Sequence, residues 1–113
     1  MNANWHPGGG ANRHRGEIAA TLDGRPVELC LTLGALAELE GRFGEDLGAM
    51  VARFSSGRLT AADMLAVIGA GLRGAGHVFT DDEVAEMQAE GGAAGYARIT
   101  VDLLTATFGG ADE

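Results

Sequence analysis

An α+β domain is predicted, an N-terminal β-hairpin packed on a bundle of about five short helices, and three features of the sequence predict it. Apolar residues alternate from Ile18 to Leu31 around Asp23-Gly24, they switch to helical spacing after Thr32, and each later helical pattern stops at a glycine. A chain of 113 residues is one domain that buries roughly two thirds of its extended surface, so it needs no metal or disulfide to fold.

The hairpin is expected over residues 17–31. Ile18, Ala20 and Leu22 alternate with Glu17, Ala19 and Thr21; Asp23-Gly24 is a two-residue turn signal; Val27, Leu29 and Leu31 alternate with Glu28 and Cys30. Pro26 is tolerable at the start of an edge strand. Two strands alone are marginal in water, so the apolar face must lie on helices.

Thr32 reads as the N-cap of a first helix with Leu36, Leu39 and Phe43 on its apolar face, closed by Gly44 in a left-handed C-cap. That face is expected to pack on Ile18, Leu22, Val27 and Leu29. A second helix follows Glu45-Asp46, with Leu47, Met50, Val51 and Phe54 as its stripe, and ends at Ser55-Ser56-Gly57. The third runs from a capping box at Thr60 and Asp63 through Met64, Leu65, Ile68 and Leu72 to Gly74. The fourth, short and acidic, follows Thr80 and Glu83 and carries Val84 and Met87. Tyr96, Ile99, Leu103 and Phe108, with Val101 and Leu104, form the longest apolar stripe, expected to be the central packing helix. The domain is thus expected over 13–109, with 1–12 a flexible N-terminal tail and 110–113 a disordered C-terminus. Trp5 and His6 in the tail read either as solvated residues or as a docking anchor.

Eight Arg, no Lys and sixteen acidic residues give a net charge of −8, which argues against direct nucleic-acid binding, since phosphate contacts need a basic face. Arg13, Arg15 and Arg25 cluster near the hairpin and read either as solvated charges that guard an edge strand or as a basic edge for an acidic partner. No apolar run approaches the roughly 20 residues of a membrane helix, and the N-terminus lacks signal-peptide character, so a soluble, cytoplasmic protein away from membranes is expected. The single Cys30 sits in an apolar strand pattern, as a small core residue in a reducing compartment does.

Candidate chemistry is thin. Gly69-Ala70-Gly71-Leu72-Arg73-Gly74 has the form GxGxxG, yet it closes a helix instead of joining a strand to one, and close helix packing explains it better than a nucleotide. His6, His14, His77 and Cys30 show no zinc-ligand spacing, and Asp81, Asp82 and Glu83 suit the positive end of a helix. No nucleophile, base and orienting group stand at meaningful spacing, so no enzyme, catalytic residue, cofactor or metal is expected.

The run Ala11-Asn12-Arg13-His14-Arg15-Gly16-Glu17-Ile18, the run from Leu29 to Glu40, Phe54-Ser55-Ser56-Gly57, and Gly71 to His77 together resemble the small gene transfer agent proteins of alphaproteobacteria. That family is classed with phage tail assembly chaperones and has also been labelled a phage tail tube protein. The resemblance covers about residues 11 to 109. It implies a tail assembly chaperone of a phage-like particle that binds the tape measure protein and assists assembly of tail tube subunits without catalysis; the alternative is a structural tail tube or minor tail protein. A homo-oligomer would suit a chaperone that covers a long partner.

Two apolar pairs stand where loops are normally polar: Phe54 with Leu59, around Ser55-Ser56-Gly57, and Val78 with Phe79, between two helices. Each reads either as a hydrophobic staple or as the lining of a groove for an amphipathic tape measure helix.

Overall fold

The computed structural model describes residues 12–109. The expected C-terminal tail, and the N-terminal tail apart from Asn12, lie outside the described residues. Asn12 is tied down: its carbonyl accepts from the N–H groups of Arg15 and Glu17 at 2.9 and 3.0 Å, and its own N–H donates to Glu17 Oε1 at 2.9 Å. A single 3-10 turn, Arg13–Arg15, leads into the sheet.

β1 (Glu17–Leu22) and β2 (Arg25–Cys30) pair antiparallel, with Ile18 opposite Leu29 and Leu22 opposite Arg25. The turn between them places Asp23 at φ 53° and Gly24 at φ 74°, the two left-handed residues of a type I′ turn, whose twist matches that of the strands. Ile18, Leu22 and Leu29 face inward and are buried, as the alternation predicts.

Five helices follow, each N-cap as the residue types suggest except the last. Thr32 Oγ1 accepts from Ala35 N–H at 3.1 Å to start α1 (Leu33–Phe43), which Gly44 closes at φ 68°. Asp46 accepts from Ala49 N–H at 2.8 Å to start α2 (Leu47–Ser55). Capping boxes at Thr60/Asp63 and Thr80/Glu83 open α3 (Ala61–Gly74) and α4 (Asp81–Ala85). α5 (Gly92–Phe108) begins at Gly91 without a side-chain cap.

The packing departs from expectation in two ways. α1 lies chiefly against α3 and not on the hairpin, and the central element is α3 instead of α5: α3 meets β2, α1, α4 and α5. The reason is side-chain size. α3 buries Ala66, Val67, Ile68, Gly69, Ala70, Gly71 and Leu72 in succession, so it approaches its neighbours from nearly every side. A Cβ on Gly71 would stand 2.5 Å from Leu103 Cδ2 and 3.2 Å from Leu29 Cβ, and one on Gly74 would stand 2.0 Å from the Cys30 carbonyl oxygen. The GxGxxG spacing is therefore a packing device that seats α3 against the backbone of β2 and against α5.

α5 covers the other half of the hairpin, β1, through the side bearing Gly95 and Ile99, and sends Leu103 into the core beside Leu29 and Leu72. Thr100, fully buried, satisfies its hydroxyl by donating to the Tyr96 carbonyl at 2.9 Å. α4 ends earlier than its apolar spacing suggests, because the backbone of Gln88 and Ala89 turns outward to pair with Asp23 and Leu22.

Candidate functional site

Phe54 and Leu59 come together. Phe54 ends α2 half-buried, its ring edge-on to Phe43 of α1 at 6.1 Å between centroids. The Arg53 guanidinium lies over both rings, 5.1 Å from the centre of Phe43 and 4.7 Å from that of Phe54. Arg53 also donates to Asp63 Oδ2 at 2.7 Å and pairs with Glu45 at 3.2 Å. Hydrogen bonding from Glu45, and then from Asp63, outweighs burial and raises the Arg53 pKa above its ordinary value. The Asp63 carboxylate, which caps α3, is buried within this arrangement and also accepts from Thr60 N–H. α1, α2 and α3 thus meet at one polar and aromatic knot.

On the side of α2 facing α5, Val51, Phe54 and Leu59 oppose Val101, Leu104 and Phe108 across an apolar groove of about 420 Å³. Val101 is 51% exposed and Phe108 39% exposed. Periodicity alone places both in the apolar packing stripe of α5. The helix instead carries two apolar faces: Tyr96, Ile99 and Leu103 pack with the core, Val101 and Phe108 border the groove, and Leu104, which packs on the core and also lines the groove, joins the two. The signal was present, since six large apolar residues spread over more than one stripe, and a helix apolar on two sides has a second surface to cover.

Val78 and Phe79 are elsewhere. They follow the C-terminus of α3, whereas Leu59 precedes its N-terminus, so the length of a 14-residue helix, about 21 Å, separates the two pairs. Val78 is 94% exposed. Phe79 is half-buried, stacks on His77 at 5.8 Å, and its carbonyl accepts from Arg73 Nη1 at 2.9 Å. Arg73 also pairs with Glu38 of α1 and, at 3.1 Å, with Asp81 of α4, and Arg42 pairs with Asp81 from the other side. Burial alone would raise the Asp81 carboxyl; hydrogen bonds and charge from Arg42 and Arg73 outweigh it and hold the pKa below the usual carboxylate value. Four charged groups therefore fasten α1, α3 and α4 behind the Val78–Phe79 loop.

A second apolar cleft, about 240 Å³ and lined by Leu22, Met64, Leu65, Ile68, Val84, Met87 and Tyr96, lies between α3, α4 and the start of α5. The Tyr96 hydroxyl donates to the Met87 carbonyl at its rim. The half-buried Cys30 thiol is pushed up by burial and by Glu17, against the pull of Arg15, so it stays protonated and a poor nucleophile. Among the described residues no three His, Cys, Asp or Glu side chains form a cluster able to hold a metal ion, and no helix is long and apolar enough to cross a membrane.

The described residues leave two apolar-lined recesses between the helices. No curated protein and no solved structure matches the sequence. A family model described as phage tail tube protein, GTA-gp10, does match, over residues 15–110, and since that span takes in most of the 113 residues, the chain belongs to this gene transfer agent tail protein family.

Proposed function

We propose that the chain is an assembly chaperone for the tail of a gene transfer agent particle, working in the cytoplasm without catalysis, that holds an amphipathic helix of the tape measure protein and assists recruitment of tail tube subunits. The observation that carries this reading is the groove between α2 and α5, where Phe54 and Leu59 face Val101, Leu104 and Phe108. An amphipathic helix lays its apolar face into such a groove. The net charge of −8 keeps the complex dispersed. Val78 and Phe79, a helix length away, supply a second apolar contact that a partner as long as a tape measure helix can reach.

The family description, which names a tail tube protein, favours a second reading as a structural tube or minor tail subunit. A tube wall built from sheet needs more strand than this fold has. Among the described residues there are two strands, joined in one hairpin, and α3 and α5 pack on it.

Co-expression with the tape measure protein of the same gene cluster tests the proposal. The wild type is expected to co-purify with it and keep it soluble, and Leu59→Asp or the exposed Val78→Asp is expected to weaken or lose it while the circular dichroism is retained. Undiminished co-purification by folded variants would remove these residues from the interface.

A further inference from the structure

The outer side of α5 bears a stripe with an internal symmetry. Ala94, Ala97, Val101, Thr105 and Phe108 succeed one another at spacings of three, four, four and three residues, all at least partly exposed. The first four, flanked by Arg98 and Asp102, line one shallow trough along the helix. The spacing is palindromic about Val101, and the side chains grow from alanine at one end to phenylalanine at the other.

We propose that α5 pairs antiparallel with α5 of a second copy about a two-fold axis through Val101. Such an axis sets Ala94 opposite Phe108, Ala97 opposite Thr105, and Val101 opposite itself. The bulk of each Phe108 then fills the space over the other copy's Ala94 and Ala97, as an isologous interface requires. Small residues at the crossing let two helices approach to about 8–10 Å.

The charges agree with this arrangement. α5 carries Arg98 and Asp102 and no other charged residue, so it is a neutral surface on a chain of net charge −8 and the place where two copies meet with least repulsion. Antiparallel pairing brings the flank bearing Arg98 in one copy to the flank bearing Asp102 in the other, two residues or about 3 Å out of step along the axis. A 17-residue helix is about 25 Å long and buries less than the roughly 800 Å² per partner of a standard interface, so the dimer is weak and concentration-dependent. Val101, Thr105 and Phe108 also border the groove, so a partner helix seated there displaces the second copy. That last consequence rests on the chaperone reading; the dimer does not.

Sedimentation equilibrium and cysteine cross-linking of the purified chain alone test the dimer. The weight-average mass is expected to rise from 11.6 kDa toward twice that value between about 10 and 500 µM, and Ala97→Glu to remain at 11.6 kDa with unchanged circular dichroism. In a Cys30→Ala background, Val101→Cys is expected to oxidise to a disulfide-linked dimer, because residues on the axis face each other. Ala94→Cys, displaced by 14 residues or about 21 Å from its counterpart, is expected not to do so. A wild type that stays monomeric throughout, a mass climbing past the dimer, or cross-linking at position 94 as ready as at 101 would overturn the proposal.

Discussion

Asp23 and Gln88, 65 positions apart in the chain, hold each other by two hydrogen bonds: the Asp23 N–H donates to the Gln88 carbonyl at 2.8 Å, and the Asp23 carboxylate accepts from the Gln88 N–H at 2.9 Å. The hairpin turn is thereby bolted to the segment between α4 and α5, beside the bridge from Leu22 to Ala89. Asp23 also occupies left-handed backbone at φ 53°, which alanine tolerates poorly. Asp23→Ala is expected to cost about 1–2 kcal/mol in urea unfolding, and Asp23→Asn, which keeps both the acceptor and the tolerance, less than about 0.5 kcal/mol. Equal losses would show that charge and not geometry holds the turn.

The glycines of α3 and α1 predict opposite signs. Gly74→Ala drives a Cβ to 2.0 Å from the Cys30 carbonyl oxygen, a backbone atom that cannot swing aside, and is expected to destabilise by about 1–3 kcal/mol or more. Gly41 lies within α1 with nothing within 4 Å of its would-be Cβ, so Gly41→Ala is expected to stabilise by about 0.5–1 kcal/mol. Thermal melts of the two variants, if they moved together, would contradict the placement of α3 on β2.

The hairpin, its turn, the helix starts and their caps were legible because each is written in a few adjacent residues: Asp23-Gly24, Thr32, Asp46, Thr60 with Asp63, and Thr80 with Glu83. Which helix sits at the centre was not, because apolar periodicity ranks helices by the size of their side chains. Here the centre belongs to the helix with the smallest ones, and closeness of approach, set by Gly71 and Gly74, outweighs the longer stripe of α5. The same bias hid half of the groove. Periodicity puts Val101 and Phe108 in one stripe with Tyr96, Ile99, Leu103 and Leu104, though three-dimensional packing leaves those two exposed at the groove. Phe54 and Leu59 stand out in the sequence because a loop flanked by large apolar residues is locally visible. Their distance from Val78 and Phe79 depends on the straight run of α3, which no local pattern encodes.

Asp81 sets the acid sensitivity of the α1–α3–α4 junction. Its folded pKa lies below the unfolded value of about 3.9, so its contribution is fully present above that value and is lost as the pH falls through the lower, folded one. Urea midpoints measured between pH 7 and pH 2.5 are expected to drop at the acid end for the wild type. Asp81→Asn is expected to start lower at pH 7 and lose less on acidification. A parallel fall of both curves would mean that the Arg42 and Arg73 pairs contribute nothing to folding.

The two residues of the exposed loop should separate cleanly. Val78, almost wholly in solvent, is expected to accept aspartate with a change within about 0.5 kcal/mol. Phe79→Ala is expected to cost about 1–3 kcal/mol, since the half-buried ring packs against the core and stacks on His77. Denaturant midpoints decide this, and a destabilised Val78→Asp would mark Val78 as a staple and not a contact for a partner.

Quantitative mass spectrometry of purified particles bears most directly on the assembly role. If the chain holds the tape measure helix in its α2–α5 groove and leaves when the tube closes around it, finished particles contain it at trace level while lysates of producing cells contain it in excess. Recovery of the chain from finished particles in ring-multiplied copy number, matching the tube wall, would contradict the chaperone role and establish it as a structural subunit.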